Sequence, residues 1–133
     1  MRKTTKEPIL IITPTAIEFT AMVRQLGTVR AITTAPPVNA GRLGGARVIV
    51  ALGGKGQELT ASTVTRLDER FKPRYIILVG VAGGFAPLSK GDVLIASSVH
   101  DLDYGKVAAR KFLRRPELDW TPDLGLLDRK SVV

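Results

Sequence analysis

The chain has 133 residues, which suits a single domain and is too short for two ordinary ones. Its balance of 44% apolar and 24% charged residues is typical of a globular protein and excludes a disordered one. Because there is no cysteine, disulfide bonds and thiolate metal sites are excluded. The apolar runs are too short for a membrane span or a signal peptide, so we expect a cytoplasmic protein without membrane contact.

The formal net charge of +8 raises the question of nucleic-acid binding. The densest basic patch, from Lys106 to Arg115, contains only one aromatic residue, Phe112. It therefore lacks the interleaved aromatic side chains on which bases stack. We expect no nucleic-acid partner, and a solvated or anion-attracting surface that is also compatible with an anionic small molecule.

The first elements predict the opening half of a βαβ unit. Ile9–Ile12 is a short apolar run typical of a buried parallel strand. Thr15 and Glu18 have the spacing of a capping box that opens a helix. Gly27 is expected to end this helix. The apolar face of the helix consists of residues at i, i+3, i+4 and i+7, namely Phe19, Met22, Val23 and Leu26.

The central part of the chain predicts a loop, a hairpin and a second helix. Thr33–Asn39, which contains two prolines, is predicted to be a loop. Gly44-Gly45 predicts a tight hairpin turn into a central strand, Arg47–Leu52. Gln57–Phe71 has helical spacing. Lys72-Pro73 ends that helix, because the residue before a proline disfavours the α region.

The remaining elements complete the predicted fold. Tyr75–Val79 is predicted to be a second buried strand, and Val93–Ala96 the last clear strand. Between them, Lys90-Gly91-Asp92 predicts a turn capped by Asp92. The alternation of strands and helices predicts an α/β fold, a three-layer domain with a mixed, largely parallel central sheet.

In open α/β sheets, ligands bind beyond the carboxyl ends of the strands. Three predicted loops lie there: Thr13–Glu18, Gly53–Gly56 and Gly80–Gly84. The first carries a carboxylate, and the glycine-rich loops let backbone N–H groups approach an oxygen-rich ligand. Neither a G-x-x-x-x-G-K-[ST] phosphate loop nor a dinucleotide motif is present. Glycine loops alone are equally explained by tight turns.

Several segments also occur in the order and spacing of one known group. The most specific is Val79–Pro87 followed by Lys90–Val93, and the others are Ile11–Glu18, Gly54–Gly56 and Lys72-Pro73. From Ile9 to Asp103 the chain resembles the purine nucleoside phosphorylase and uridine phosphorylase superfamily. The resemblance is strongest to the methylthioadenosine/S-adenosylhomocysteine nucleosidase branch.

The resemblance implies a catalytic role for Glu18. It matches the glutamate that positions and deprotonates the attacking water in the nucleosidase branch. Cleaving an N-glycosidic bond passes through an oxocarbenium-like state, and a poorly nucleophilic water needs a base beside it. The alternative is that Glu18 only completes the capping box, where the helix dipole favours a carboxylate. The two roles can coexist.

The resemblance also implies which loop residues contact the substrate. They are Gly54, Gly56, Val81, Ala82, Gly83 and Gly84. The first two match the loop on the ribose side, and the others match the loop against base and sugar. A tight turn remains the alternative for each glycine. Val81 stands where the family usually has serine or threonine, so one hydroxyl contact to ribose or phosphate is missing.

Other departures bear on the reaction. Phosphorylases hold phosphate with arginines whose positions correspond here to Ile17 and Leu78, which cannot bind an anion. Hydrolysis is therefore favoured over phosphorolysis. Thr15 stands where the branch often has methionine, which leaves the 5′ substituent open.

A metal site is conceivable only near the histidine. His100, Asp101 and Asp103 are close in sequence, but one histidine with two unevenly spaced carboxylates is more typical of a loop. We predict no metal and no cofactor.

The chain is expected to be incomplete. The family's ribose-binding methionine-glutamate pair and its leaving-group acid lie in the later half, and nothing after Asp103 matches them. We expect residues 1–127 to be the N-terminal part of a truncated nucleoside phosphorylase-like domain. Asp128–Val133 is what a common short-read sequencing adapter encodes before a stop codon, so we expect a non-native tail; an ordinary polar tail is the alternative.

The sequence thus predicts a nucleosidase that acts on a purine nucleoside or its 5′-thio derivative. The alternatives are a non-catalytic nucleoside-sensing or nucleotide-sensing module and a phosphorylase of the same superfamily. The implied partner is a small-molecule nucleoside, and the full-length form is expected to be a homo-oligomer. The 133-residue chain alone is expected to be marginally stable and inactive.

Overall fold

The computed structural model describes residues 7–100, 105–108, 111–114 and 119–122. It divides into two compact units, Met1–Gly83 and Gly84–Val133. The first unit contains β1 (Ile9–Thr13), α1 (Ala16–Arg24), β2 (Gly27–Thr34), β3 (Pro37–Leu43), β4 (Ala46–Leu52), α2 (Gln57–Phe71) and β5 (Tyr75–Leu78). The second contains β6 (Val99–His100), β7 (Gly105–Ala108), β8 (Lys111–Arg114) and β9 (Asp119–Trp120).

The first unit is built on a five-stranded sheet with the order β2-β3-β4-β1-β5. Strand β1 runs parallel to both β4 and β5, with Ile11 opposite Val50 on one side and Ile77 on the other. The pairings of β3 with β2 and with β4 are antiparallel. The predicted mixed sheet is confirmed, and its parallel pairings lie in the β4-β1-β5 half.

Helices cover both faces of this sheet. Leu10 and Ile12 of β1 pack with Leu67 of α2, whereas Ile11 packs on the opposite face with Leu26 and the apolar side of α1. Successive side chains of a strand point to opposite faces, so a strand between two helix layers must be apolar throughout. The three-layer α/β architecture predicted from Ile9–Ile12 is confirmed. No helix within the described residues has the length and apolar character needed to cross a membrane.

Two predictions around β2 are wrong. The predicted loop Thr33–Asn39 is mostly strand, because β2 extends to Thr34 and β3 begins at Pro37. Gly27 does not end α1, which ends at Arg24 and is capped by Gln25; instead, Gly27 begins β2. The first five residues of β2 are exposed and its pairing contains register shifts, so it has no apolar alternation to reveal it. Pro37 is the first residue of β3, a position at which a strand tolerates proline.

The other element predictions have mixed outcomes. The hairpin turn at Gly44-Gly45 is confirmed, with φ of 54° and 81°. Helix α2 has the predicted bounds, and Lys72 ends it in the left-handed region with φ 46°. The predicted strand Val93–Ala96 is wrong: these residues are exposed, Val93 by 90%, and pair with no strand in the described part of the chain. An apolar run is not a strand unless a neighbouring strand takes up its backbone hydrogen bonds.

The turn before that segment is as expected. The Ser89 N–H donates to Asp92 Oδ2 at 2.8 Å, and the Asp92 N–H donates to the Ser89 carbonyl at 3.1 Å. The Asp92 carboxylate therefore closes the turn that its position after Gly91 predicted.

Candidate active site

Three loops meet at one edge of the sheet in the first unit. Strands β4, β1 and β5 are adjacent and parallel, so their carboxyl ends share that edge. The Gly53 N–H donates to the Thr13 carbonyl at 2.9 Å, and the Val79 N–H donates to the Ile12 carbonyl at 2.9 Å. These bonds extend the strand pairing to the point where the chain leaves the sheet. The predicted loops after the three strands therefore begin side by side.

Glu18 lies at this edge because a capping box begins α1. Thr15 is extended (φ −125°, ψ 159°), and its hydroxyl accepts the Glu18 N–H at 3.4 Å. In return, Glu18 Oε2 accepts the Thr15 N–H at 2.8 Å and the Thr15 hydroxyl at 2.7 Å. The capping box predicted from the Thr15–Glu18 spacing is confirmed.

The second oxygen of Glu18 reaches the loop that follows β5. Glu18 Oε1 accepts the Val81 N–H at 2.8 Å, across 63 positions of sequence. An ionised carboxylate has about four lone-pair sites. In Glu18, two of these lone-pair sites on Oε2 and one on Oε1 accept hydrogen bonds from Thr15 and Val81. The carboxylate is thus held at both oxygens, and Oε1 keeps an acceptor site for a water molecule.

The surroundings of Glu18 keep it ionised. Its pKa is lowered, first by the Thr15 hydroxyl and then by the Val81 N–H, while partial burial acts in the opposite direction. The Thr15 N–H and the positive charge of Lys55 lower the pKa further. Hydrogen bonds to the charged form stabilise it. At neutral pH the group is therefore an ionised carboxylate, which accepts hydrogen bonds.

The glycines after β4 adopt conformations that require glycine. Gly54 and Gly56 have φ of 84° and 95°, in the left-handed region that other residues rarely enter. Their carbonyls accept from Thr60, Gly54 from the hydroxyl at 3.2 Å and Gly56 from the N–H at 3.2 Å. Both glycines therefore form a tight turn into α2, and their contact with a substrate stays a prediction.

Gly80 is a residue that the sequence analysis did not single out. A Cβ at this position would lie 3.1 Å from Glu18 Oε1 and 3.2 Å from Pro14 Cδ. Such contacts are tighter than most real Cβ contacts, so glycine at this position leaves room for the carboxylate. The local sequence carries no signal for this role, because the close approach joins residues that are 62 positions apart. The same holds for the effect of Lys55 on Glu18.

The remaining predicted residues differ in their surroundings. Val81 contributes its backbone N–H to the site, whereas its side chain is 89% exposed. Ala82 and Gly83 follow it and are also exposed. Gly84 belongs to the second unit, where a Cβ would lie 3.4 Å from Leu88 Cδ1.

The positions expected to lack a phosphate ligand are exposed and apolar. Ile17 on α1 is 83% exposed and Leu78 on β5 is 65% exposed. The residues considered for a metal site were His100, Asp101 and Asp103. His100 Nε2 lies 3.0 Å from Ser98 Oγ, and the two aspartates lie outside the described residues. Within the described part of the chain, no group of three or more histidine, aspartate or glutamate side chains could hold a metal ion.

The amino-acid sequence of the chain is similar to that of known proteins. A family model described as the phosphorylase superfamily matches residues 8–129. The 5′-methylthioadenosine/S-adenosylhomocysteine nucleosidase of Geobacillus sp. (strain WCH70) is 47% identical over 66 residues, which cover 47% of this chain and 28% of the relative. The nucleosidase of the same description from Mycobacterium tuberculosis is 43% identical over 68 residues, covering 50% and 27%.

Solved structures show the same fold. The S-adenosylhomocysteine nucleosidase of Streptococcus pyogenes, in complex with 5-methylthiotubericidin, is 27% identical with a TM-score of 0.73, covering 92% of this chain and 54% of that one. The Streptococcus pneumoniae nucleosidase, with a transition-state inhibitor, has a TM-score of 0.76 at 22% identity, covering 91% and 55%. The chain therefore spans about half the length of these solved chains and just over a quarter of the curated relatives.

Proposed function

The chain belongs to the phosphorylase superfamily, and from this premise we propose that it supplies the water-activating side of a nucleosidase. The substrate is a purine nucleoside or its 5′-thio derivative. The observation that carries the proposal is the Glu18 carboxylate, held by Thr15 and Val81 with one acceptor site left on Oε1. The names of the relatives, which are nucleosidases, support the same reaction.

In the proposed reaction, Glu18 orients a water molecule and accepts its proton as the water attacks the anomeric carbon. The bond from the anomeric carbon to the base nitrogen breaks as the bond to the water oxygen forms, and its electron pair leaves on the base. By the family resemblance, the base is protonated by the acid of the later half of the domain, which a chimera with a full-length nucleosidase supplies. A carboxylate of lowered pKa is a weak base in the ground state, so proton transfer accompanies bond formation. The hydrogen bonds from Thr15 and Val81 fix the carboxylate in place, which reduces the entropy lost in reaching the reactive geometry.

The glycine loops supply the walls of the proposed site. We assign Gly54 and Gly56 to the ribose side, and Val81, Ala82, Gly83 and Gly84 to the base and sugar. Support for the first group is its position at the same sheet edge as Glu18. Gly84 is included through the family resemblance alone.

Two alternatives are distinguished by specific side chains. A phosphorylase is disfavoured by Ile17 and Leu78, because exposed apolar side chains stand where arginines would hold phosphate. A non-catalytic nucleoside-sensing module is favoured by Val81, whose exposed side chain offers no hydroxyl to the ligand.

A chimera tests the proposal. This chain would be joined to the part of the Streptococcus pyogenes nucleosidase that it does not match, and release of adenine from 5′-methylthioadenosine would be measured by chromatography. We expect release that is independent of added phosphate. Release only with phosphate would establish the phosphorylase alternative, and binding of the nucleoside without release would establish the sensing module.

Three further points follow from the resemblance and are proposals as well. We propose a cytoplasmic location, a homo-oligomeric full-length form, and that residues 1–127 are the N-terminal part of a nucleoside phosphorylase-like domain. Residues 128–133, the expected non-native tail, lie outside the described residues. Sequencing the locus past the codon for Val133 tests the tail, since a genuine stop codon there would refute it.

A further inference from the structure

A cleft lies at the opposite end of the sheet from the candidate active site. It has a volume of about 320 Å³ and lies at the amino ends of β1 and β4, next to the end of α2. Four cationic side chains line it, Arg30, Arg47, Arg70 and Lys72, together with one carboxylate, Glu7. The whole cleft belongs to the first unit.

The floor of this cleft is apolar. Pro8 and Ile49 are buried, and Ile32, Ala40 and Phe71 are partly buried. Ile49 belongs to the core cluster on the α2 face of the sheet, and Ile32 and Phe71 pack against that cluster. The cleft therefore combines an apolar floor with charged side chains around it, which suits a ligand that has one apolar and one anionic part.

The sheet places two of the four cations. Arg30 lies in β2 opposite Ala40 of β3, and Ala40 lies opposite Ile49 of β4. Arg47 is two residues before Ile49 in β4, so it points to the same face of the sheet. Residues from three strands thus converge on the α2 face beyond the end of the helix.

The helix places the other two cations. Arg70 lies in the last turn of α2 with its guanidinium 5.0 Å from the centre of the Phe71 ring, and Lys72 is the C-cap. Cations are favoured there by the helix dipole, which accounts for these two residues without any ligand. The dipole does not account for Arg30 and Arg47, which belong to the sheet.

The conformation of Lys72 is a separate observation. It occupies the left-handed region at φ 46°, where helices usually place glycine. Its N–H donates to the Asp68 carbonyl at 2.9 Å, which closes the helix. A lysine in this position strains the backbone while adding a cation to the cleft.

We propose that this cleft binds a small phosphorylated molecule, with its phosphate against the basic side chains and its apolar part on the floor. Arginine forks match phosphate oxygens, and clustered charge of one sign in a cleft concentrates anions. The lining carries four cations against one carboxylate, Glu7, whose Oε2 is buried without a hydrogen-bond partner among the described residues, and the negative end of the α2 dipole lies beside it. This site is independent of the proposed nucleosidase activity, because it shares no lining residue with the Glu18 loops.

Binding of two probes to the isotopically labelled 133-residue chain tests the proposal. Inorganic phosphate and phenyl phosphate would each be titrated by NMR at constant ionic strength set with sodium chloride. We expect saturable shifts in the amides of Arg30, Arg47 and Lys72, and none at Thr15 or Glu18. Phenyl phosphate should bind about threefold to tenfold more tightly, because its ring adds apolar contact area.

Variants separate a built site from general charge attraction. Arg30→Gln and Lys72→Gly should each weaken phenyl phosphate binding about fivefold. Arg66→Gln is the matched control, since Arg66 is an exposed cation of α2 that does not line the cleft, and it should leave the affinity unchanged. Lys72→Gly should also relieve the strained conformation, and its thermal unfolding would be measured beside the titration to separate weaker binding from unfolding.

The proposal fails if Arg66→Gln weakens binding as much as Arg30→Gln, or if the shifts do not saturate. It also fails if the two probes bind with equal affinity, because the floor then contributes nothing. Shifts confined to the Glu18 loops would place the anion at the candidate active site and overturn the inference. The result for adenine release does not bear on any of these outcomes.

Discussion

The two ends of the sheet in the first unit are built on different physical principles. At the carboxyl end, one carboxylate is held by hydrogen bonds of 2.7 and 2.8 Å from Thr15 and 2.8 Å from Val81. At the amino end, four cationic side chains line a cleft with an apolar floor. If the proposals hold, activity at the first end depends on the position of one group, and its removal should abolish the activity in a single step. Binding at the second end should be shared among several groups, so single substitutions should weaken it gradually.

The largest effect is expected from removing the Glu18 charge. Glu18→Gln in the chimera should lower adenine release by about 10²- to 10⁴-fold, because an amide cannot accept the proton of the attacking water. Glu58→Gln is the control, since Glu58 also lies in the first turn of a helix. Its rate should stay within about twofold of the original, as expected for an exposed charge with no assigned role. A Glu18→Gln rate above one tenth of the original would contradict the assignment of Glu18 as the base.

A smaller effect is expected from moving the same carboxylate. Gly80→Ala places a Cβ 3.1 Å from Glu18 Oε1, so the carboxylate must shift. A shift of a catalytic group by part of an ångström should reduce adenine release about 10- to 100-fold. Gly27→Ala is the control, because the nearest atom to its Cβ would be the Arg42 carbonyl oxygen at 3.9 Å. Equal rates in both variants would show that the position of the carboxylate is not critical.

The third prediction concerns pH. Thr15→Val removes the hydroxyl that contributes most to the lowered pKa of Glu18, so that pKa should rise, whereas Thr15→Ser should keep it low. Stability that depends on ionised Glu18 is present above its unfolded pKa and is lost as the pH falls through the lower folded pKa. In Thr15→Val this loss should be smaller and should be complete at a higher pH, and the lost cap should cost about 1 kcal/mol at all pH values.

Carbon NMR of the Glu18 carboxyl group in the wild-type chain and both variants measures these pKa values directly. Thermal unfolding at several pH values measures the accompanying change in stability. An unchanged Glu18 pKa in Thr15→Val would mean that the hydroxyl does not hold the carboxylate in solution. A raised pKa in Thr15→Ser as well would attribute the effect to the side-chain methyl group.

How much of the fold could be predicted depended on burial. Ile9–Ile12 and Arg47–Leu52 lie between two helix layers, so their apolar composition is visible in the sequence. Strand β2 was missed because it is exposed along most of its length and carries no alternation. Val93–Ala96 was wrongly predicted, because apolar composition alone does not supply a pairing strand.

In the candidate site, too, only the contact between residues close in sequence could be predicted. The contact between Thr15 and Glu18 spans three positions and has a known sequence pattern, so it was predicted. The Val81 N–H and the close approach of Gly80 depend on strand order, which brings residues more than 60 positions apart together. The basic cleft has no sequence pattern either, since its cations come from two strands and a helix end.

The smallest effect is expected at the amino end, where Lys72 combines charge with strain. Lys72→Gly should stabilise the chain by about 0.5 kcal/mol, because relief of the left-handed conformation slightly exceeds the added entropy of an unfolded glycine. The midpoint of thermal unfolding should rise by about 2 °C. Lys72→Ala removes the same charge and keeps a Cβ at φ 46°, so it should not be stabilised. Equal unfolding midpoints for Lys72→Gly and Lys72→Ala, both above wild type, would mean that repulsion among the cleft cations, and not backbone strain, is what the substitution relieves.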